Sequence, residues 1–348
     1  MAPYFAGMSE VSTSRVVWVM RKPRSLGNFS IETSYRTMHQ AWPDNETPPQ
    51  VHVASRFTSG LFNRWHIWKE VRQLSPLVIH ITGDVHFAAI GMNHKPLVLT
   101  IHDLGMLNEG NAIKRWLKNV FWLNLPLQSC HRIIAVSEET KRDIVSRTSF
   151  PANRIQVIPS VISPTFQPRD SEPKNDIPRV LHIGLADNKN LRGHAEALAG
   201  LNVHLRIIGE PSTEQHSMLQ GHGLDYSCAS KLSESQLQAE YAESDVLLFC
   251  STLEGYGMPI IEAQTIGVPV ITSQKAPMNE TAGAGALLVD PGQPSDIRKG
   301  VEQVLNDATL RSQLITAGRA NAQTCNAGAS AQRHAELYTG LIEEWKDR

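Results

Sequence analysis

The sequence predicts an α/β protein of two doubly wound, Rossmann-like domains facing a central cleft. Three observations carry that expectation. Short apolar runs alternate with helix-period segments along the whole chain, the pattern of parallel strands joined by crossover helices. The series breaks once, at Pro164 to Pro178, a stretch rich in proline and charge and without periodicity, and then restarts. At 348 residues the chain exceeds what a single hydrophobic core comfortably serves.

The first series of predicted strands is 15–20, 51–54, 77–81, 97–101, 132–136 and 155–158; the second is 179–183, 203–208, 246–250, 268–272 and 286–289. Runs such as Asp245-Val-Leu-Leu-Phe-Cys250 are continuously apolar, as parallel strands buried on both faces require. The expected domains are therefore 1–165 and 166–334, with a last helix at about 335–348 packing back on the first domain. Residues before Arg15 lack the basic start and apolar centre of a signal peptide and read as a short lead-in.

Composition narrows the class. With 41% hydrophobic and 19% charged residues the chain is an ordinary globular one, and no apolar stretch is long enough to span a bilayer. Cys130, Cys228, Cys250 and Cys325 are far apart, which excludes a zinc cage or disulfide framework and suits reduced thiols in the cytoplasm. Net charge is −1, which argues against nucleic acid as a partner. Through Thr165 there are 18 Lys and Arg against 11 Asp and Glu, and after it 15 against 23. The basic half suits a phosphorylated acceptor, or peripheral contact with the anionic inner face of a membrane.

The most informative segment is Ser251-Thr-Leu-Glu-Gly-Tyr-Gly-Met-Pro-Ile-Ile-Glu-Ala263. It follows a predicted strand and opens a helix, with Pro259 suited to the first helical position and Gly267 and Pro269 suited to its end. Free N–H groups at a helix start favour an anion. Two carboxylates eight positions apart, Glu254 and Glu262, flank that start and can each grip paired hydroxyls. A nucleotide-sugar presents ribose, diphosphate and sugar in that order. The competing expectation makes Glu254 a helix cap and Glu262 a solvated side chain.

These residues resemble the retaining glycosyltransferases of family 4, of GT-B fold, whose E-x7-E segment matches Glu254 to Glu262. Further landmarks lie in order: Gly27 to Glu32, His102-Asp103, Ile133 to Lys141, Ile183-Gly184 with Lys189-Asn190-Leu191, and Ala286 to Pro291. The resemblance spans roughly residues 15 to 310. It departs at Gly184-Leu-Ala-Asp-Asn-Lys189, where many members carry an arginine, so the diphosphate would rely on Lys189, backbone amides and Arg192.

The resemblance implies a hexosyltransferase that needs neither metal nor cofactor. Its donor would be a nucleoside-diphosphate sugar, UDP favoured over GDP, and its acceptor a hydroxyl of a saccharide or lipid-linked saccharide in polysaccharide or glycoconjugate synthesis. Glu254 would hold the donor sugar and Glu262 the ribose. The amides of Gly255, Tyr256, Gly257 and Met258, with Gly184 and the Gly27-Asn28 loop, would hold the phosphates, and Lys231-Leu232 would meet the base. His102 would stand beside the donor sugar. From position alone, Asp84 and His86, at the end of another predicted strand, suit either the orienting of an acceptor hydroxyl or ordinary turn chemistry, and Asp103 should point away from His102 along an extended chain. A nucleotide-sugar 2-epimerase of the same fold and a non-catalytic partner subunit are the alternatives. Arg56 to Arg72 and Lys114 to Trp122 interleave bases with aromatics; such stretches serve as interfacial helices, or, as the favoured expectation, bury their rings and leave their bases in water.

Overall fold

The structure, a computed structural model, describes residues 15–23, 30–108 and 110–347. The chain forms two compact units, Met1–Val161 with Ala327–Arg348, and Ile162–Asn326.

The first unit is built on β1 (Val16–Met20), β2 (Gln50–Val53), β3 (Val78–Ile81), β4 (Leu97–Ile101), β5 (Arg132–Ala135) and β6 (Ile155–Val157). They form one parallel sheet in the order β2-β1-β3-β4-β5-β6. Side chains alternate across it with the two-residue period of strands. Val17, Val19, Ile79, Ile81, Leu97 and Leu99 enter one core layer. Val16, Trp18, Met20, Val78 and Val98 enter the other, which is closed by Tyr35 and Met38 of helix Ser30–Gln40 and by Leu337, Tyr338 and Leu341 of the last helix, Ala327–Lys346. A hydrogen bond from Trp18 Nε1 to Tyr338 Oη (2.8 Å) fixes that last helix to the centre of the sheet.

The second unit repeats the plan with β7 (Arg179–Ile183), β8 (His204–Ile208), β9 (Asp225–Ala229), β10 (Val246–Phe249), β11 (Val270–Ser273) and β12 (Leu287–Val289), ordered β12-β11-β10-β7-β8-β9 and parallel throughout. The sequence does not announce β9. It is an edge strand, Asp-Tyr-Ser-Cys-Ala, half exposed along its length, so it carries no apolar run.

The stretch between the two series, Pro164 to Pro178, which reads as a linker, is tied down on this unit. Phe166 is buried against Tyr241, and the Arg169 guanidinium donates to the carbonyls of Ala242 (3.3 Å) and Ser244 (2.8 Å) at the end of helix Glu234–Ala242. Those are carbonyls a helix leaves without partners at its C-terminus, and a cation suits them.

Candidate active site

In each sheet the strand order reverses once, and at that point the loops leaving the carboxyl ends of two neighbouring strands diverge and leave a crevice. In the second unit the strands are β7 and β10. The loop after β7 begins at Gly184 (φ +89°), a left-handed conformation that suits glycine. A Cβ there would meet Cγ and Cε of Lys189 at 3.1 Å, so the lysine stem lies directly on the glycine. The loop after β10 is laced to this segment. Thr252 N donates to Asn188 O (2.8 Å), Asn188 Nδ2 to Leu253 O (2.7 Å), and Asn190 Nδ2 to Cys250 O (3.2 Å) as well as to Pro291 O (2.8 Å) after β12.

The lacing brings together two residues expected to meet different parts of a donor. Lys189 Nζ stands 2.5 Å from Glu254 Oε1 and 4.8 Å from the centre of the Phe249 ring. Lys189, expected to meet the diphosphate, is here the ion-pair partner of a carboxylate. Arg192, in the first turn of helix Leu191–Leu198, is exposed.

After Glu254 the chain turns through Gly255 and Tyr256 to Gly257 (φ +100°), which precedes helix Met258–Ile266. Pro259 occupies the second helical position, one later than expected, because Gly257 and not Met258 makes the left-handed turn. The amides of Tyr256, Gly257 and Met258 meet no acceptor among the described residues. The Tyr256 ring faces the protein, its hydroxyl 3.2 Å from Cys325 Sγ, and its carbonyl accepts from Thr281 Oγ1 (2.6 Å).

Glu262 is not a solvated side chain. It is half-buried, and the fully buried Tyr241 donates its hydroxyl to Glu262 Oε2 at 2.6 Å. Desolvation pushes the Glu262 carboxyl up to about 7; the Tyr241 hydrogen bond opposes this, and nearby Glu234 adds to it. Tyr241 lies in the last turn of helix Glu234–Ala242, which Lys231 and Leu232 precede, and its hydroxyl ties that helix to Glu262 on helix Met258–Ile266. Lys231 is exposed with φ +58°, and Leu232 is half-buried.

Beneath both loops runs a buried chain of contacts that the sequence reading missed. Cys250 N donates to His194 Nε2 (3.3 Å), His194 Nδ1 meets His182 Nδ1 (2.8 Å), and His182 Nε2 meets Gly184 O (2.7 Å). The amide must donate and the carbonyl must accept, so one proton arrangement satisfies all three contacts: His194 protonated on Nδ1, His182 on Nε2, both neutral. Burial lowers the pKa of both rings, that of His182 to about 4.

The first unit has a parallel arrangement where its strand order reverses, between β1 and β3. Arg21, just past β1, donates through Nε to Glu32 Oε1 (2.8 Å) and through Nη1 to Asp84 Oδ2, in the loop after β3. Asp84 is thus a paired carboxylate rather than an isolated one; Arg21 was not singled out, and Glu32 only as the end of the Gly27 to Glu32 landmark, because single charges beside a strand and in a helix start are commonplace. His102, after β4, contacts Thr82 O through Nε2 (2.8 Å), and burial holds its ring below the usual imidazole value. The carbonyl accepts, so Nε2 carries the proton and Nδ1 is left as an acceptor. His86 is buried with Nδ1 on Trp122 O (3.1 Å), which turns it inward and away from any acceptor role. Asp103 accepts from Gly105 N (2.9 Å) in a tight turn. Gly27 and Asn28 lie outside the described residues.

Two families match this chain: Glycosyltransferase Family 4 over residues 29–166 and Glycosyl transferases group 1 over residues 165–321. Among curated relatives, the O-antigen chain mannosyltransferase B of Escherichia coli is 27% identical over 224 residues, 58% of this chain and 58% of that protein. The MMP alpha-(1->4)-mannosyltransferase of Mycolicibacterium hassiacum is 25% identical over 266 residues, 69% and 63% of the two chains. The chain thus spans less than two thirds of these relatives' length. Among solved structures, Anabaena HepE in complex with UDP and glucose superposes with a TM-score of 0.74 at 15% identity, covering 93% of this chain and 99% of that one. Sucrose-phosphate synthase from Thermosynechococcus elongatus gives 0.75 at 17%, covering 94% and 99%. The two family matches run in series along nearly the whole chain and the fold agrees with them: the protein belongs to the group 1, family 4 glycosyltransferases of GT-B fold.

Proposed function

We propose that the protein is a retaining, metal-independent glycosyltransferase that moves a mannosyl or glucosyl group from a nucleoside-diphosphate sugar, UDP in preference to GDP, to a hydroxyl of a saccharide or lipid-linked saccharide. The observation that carries the reading is the convergence of Lys189, Glu254 and the free amides of 256–258 on the β7/β10 crevice, with Glu262 on the helix that starts there. The names of the relatives, mannosyltransferases among the curated proteins and a UDP and glucose complex among the structures, support the choice of sugars.

The donor diphosphate takes the place of Glu254 as partner of Lys189 and lies against the amides at the helix start. Glu254, released, accepts from the sugar hydroxyls, and Glu262 from those of the ribose. As the bond from C1 to the diphosphate oxygen breaks, its electron pair stays on that oxygen, and Lys189 with the amides stabilises the growing charge. The acceptor oxygen attacks C1 from the same face and passes its proton to the departing phosphate, which preserves the anomeric configuration.

Calorimetric titration with UDP, GDP, ADP and their sugars tests this. UDP and a UDP-hexose should bind in the micromolar range, and no binding at millimolar concentration would defeat the reading. For the stereochemistry, proton NMR of the first product should show the donor's anomeric configuration; an inverted product, or a trapped glycosyl-enzyme, would defeat the same-face route.

A further inference from the structure

The two aromatic–basic stretches do not behave as the favoured expectation had it. Of the thirteen large apolar side chains exposed among the described residues, eight fall within 57–65 and 113–121, and these include all five exposed aromatic rings. Helix Ala112–Lys118 has no buried residue at all, although it carries Ile113, Trp116 and Leu117, exposed by 70%, 64% and 41%. Its place is fixed at its ends, by the Asn111 cap on Lys114 N (3.0 Å) and by Lys118 Nζ on Met106 O (2.8 Å). Helix Leu61–Arg72 buries Ile67 and Val71 and turns Leu61, Phe62 and Trp65 outward, followed by Lys69 on the same face. Arg64 joins the two regions: its guanidinium lies 4.7 Å from the ring centre of Trp122, in the turn that continues the first helix.

Charge on this face has one sign. Residues 56–72 hold four Lys or Arg and residues 112–124 three, against the single carboxylate Glu70, which His52 engages at 2.8 Å. Several of these cations lie beside the exposed rings: Lys69 stands 4.6 Å from the Trp65 centre and Arg56 5.3 Å from that of Phe62. Apolar side chains with amphipathic rings between cations match a lipid interface, where rings sit at the headgroup boundary and Lys and Arg meet phosphates. A second copy of the chain fits poorly, because a symmetric interface would set this cationic patch against itself. Among the described residues no helix is long and apolar enough to cross a membrane, so the contact would be one of surface with surface.

We propose that this face of the first unit, helix Ala112–Lys118 with the outer side of helix Leu61–Arg72, docks on an anionic phospholipid bilayer. The proposal rests on exposure and charge alone and stands whether or not the donor reading above holds.

Vesicle flotation of the full chain tests it. The protein should float with vesicles of phosphatidylglycerol and phosphatidylcholine, stay behind with phosphatidylcholine alone, and detach as salt is raised. Ile113→Ser with Trp116→Ser, and separately Lys114→Glu with Arg115→Glu, should each reduce partitioning by roughly tenfold or more. Tm should hold in both variants, since none of the four side chains is buried, and nucleotide titration should be unchanged. Three results would overturn the proposal: flotation with neither vesicle, variants that float as the parent does, or a dimer in solution that the substitutions dissolve while no vesicle is bound. A failed nucleotide titration beside intact flotation would instead count against the donor site only.

Discussion

Lys189 and Glu254 form an ion pair at 2.5 Å across the point where the second sheet reverses its strand order. The first unit repeats the relationship with different residues: Arg21, after its first strand, pairs with Asp84, after the strand on the other side of its reversal. The crevice at such a point collects two loops from divergent strands, and a charge on each lets them hold one another. In the second unit that pair sits near the helix-start amides and close enough to Glu262 for Lys189 to act on its carboxyl, and under the proposed function a donor phosphate would displace Glu254 from it. In the first unit Arg21 is also held by the buried Glu32, which makes its pair the more rigid of the two.

The Lys189–Glu254 pair separates two kinds of loss. Lys189→Ala should lower kcat by about a hundredfold to a thousandfold, the usual cost of removing one group that stabilises a leaving-group charge. Glu254→Gln should keep UDP binding within a few-fold, or tighten it by freeing the lysine, while transfer falls. Paired UDP titrations and initial rates check this. Equal losses of UDP affinity in both variants would show that the pair acts only to hold the loop.

Gly184→Ala tests whether the lysine depends on the glycine beneath it. At φ +89° an alanine is strained by about 1 kcal/mol or more, and its methyl would press on Cγ and Cε of Lys189. The variant should fold with a slightly lowered Tm and bind UDP at least several-fold more weakly. Urea unfolding and calorimetry measure the two effects separately.

Glu262 predicts a pH dependence of unusual sign for a carboxylate. Its folded pKa of about 7 lies above the ordinary value of 4.5, so between those limits the folded state holds a proton that the unfolded state has lost. The contribution of this group is fully present below pH 4.5 and is lost as pH rises through 7. Glu262→Gln should remove that term, so that stability rises more steeply with pH over the same window than in the parent. Tyr241→Phe takes away the one hydrogen bond that favours the ionised form, and should shift the titration upward. Unfolding in urea at a series of pH values checks both.

Most of the frame was legible because buried parallel strands are continuous apolar runs; β4 and β7 match their predicted limits residue for residue. The edge strand β9 was hidden because it faces water and has no such run. Glu254 and Glu262 were legible as candidates because a strand, a glycine turn and a helix start constrain one another at short range, whereas Lys189, 65 positions from Glu254, was named only through the family resemblance. Tyr241, 21 positions from Glu262, and Arg21, 63 positions from Asp84, were not, since a single polar residue carries no period and its partner is set by topology. The exposed rings of 113–121 misled for a related reason: helical spacing of aromatics marks an apolar face without saying what covers it.

The His182–His194 chain gives the last prediction. It links Gly184 O to Cys250 N, the starts of the two loops that carry Lys189 and Glu254, and its protons can be arranged in only one way. His194→Leu would leave the Cys250 amide and His182 Nδ1 buried without partners, which costs about 1–3 kcal/mol each by ordinary measure. Urea unfolding should report a loss of that order, with UDP affinity falling beyond what stability explains, because both loops lose their common anchor. The pH response follows from the same geometry. The folded pKa of His182, about 4, lies below the ordinary imidazole value of 6.5, so the chain's contribution is complete above pH 6.5 and is lost as pH falls toward 4. This is opposite in sign to the Glu262 term over nearly the same window, and the two are separated by measuring the slope in Glu262→Gln, where the histidine term should stand alone among these three groups. A slope in Glu262→Gln that His194→Leu leaves unaltered would show that the rings are buried bystanders rather than the tie between the loops.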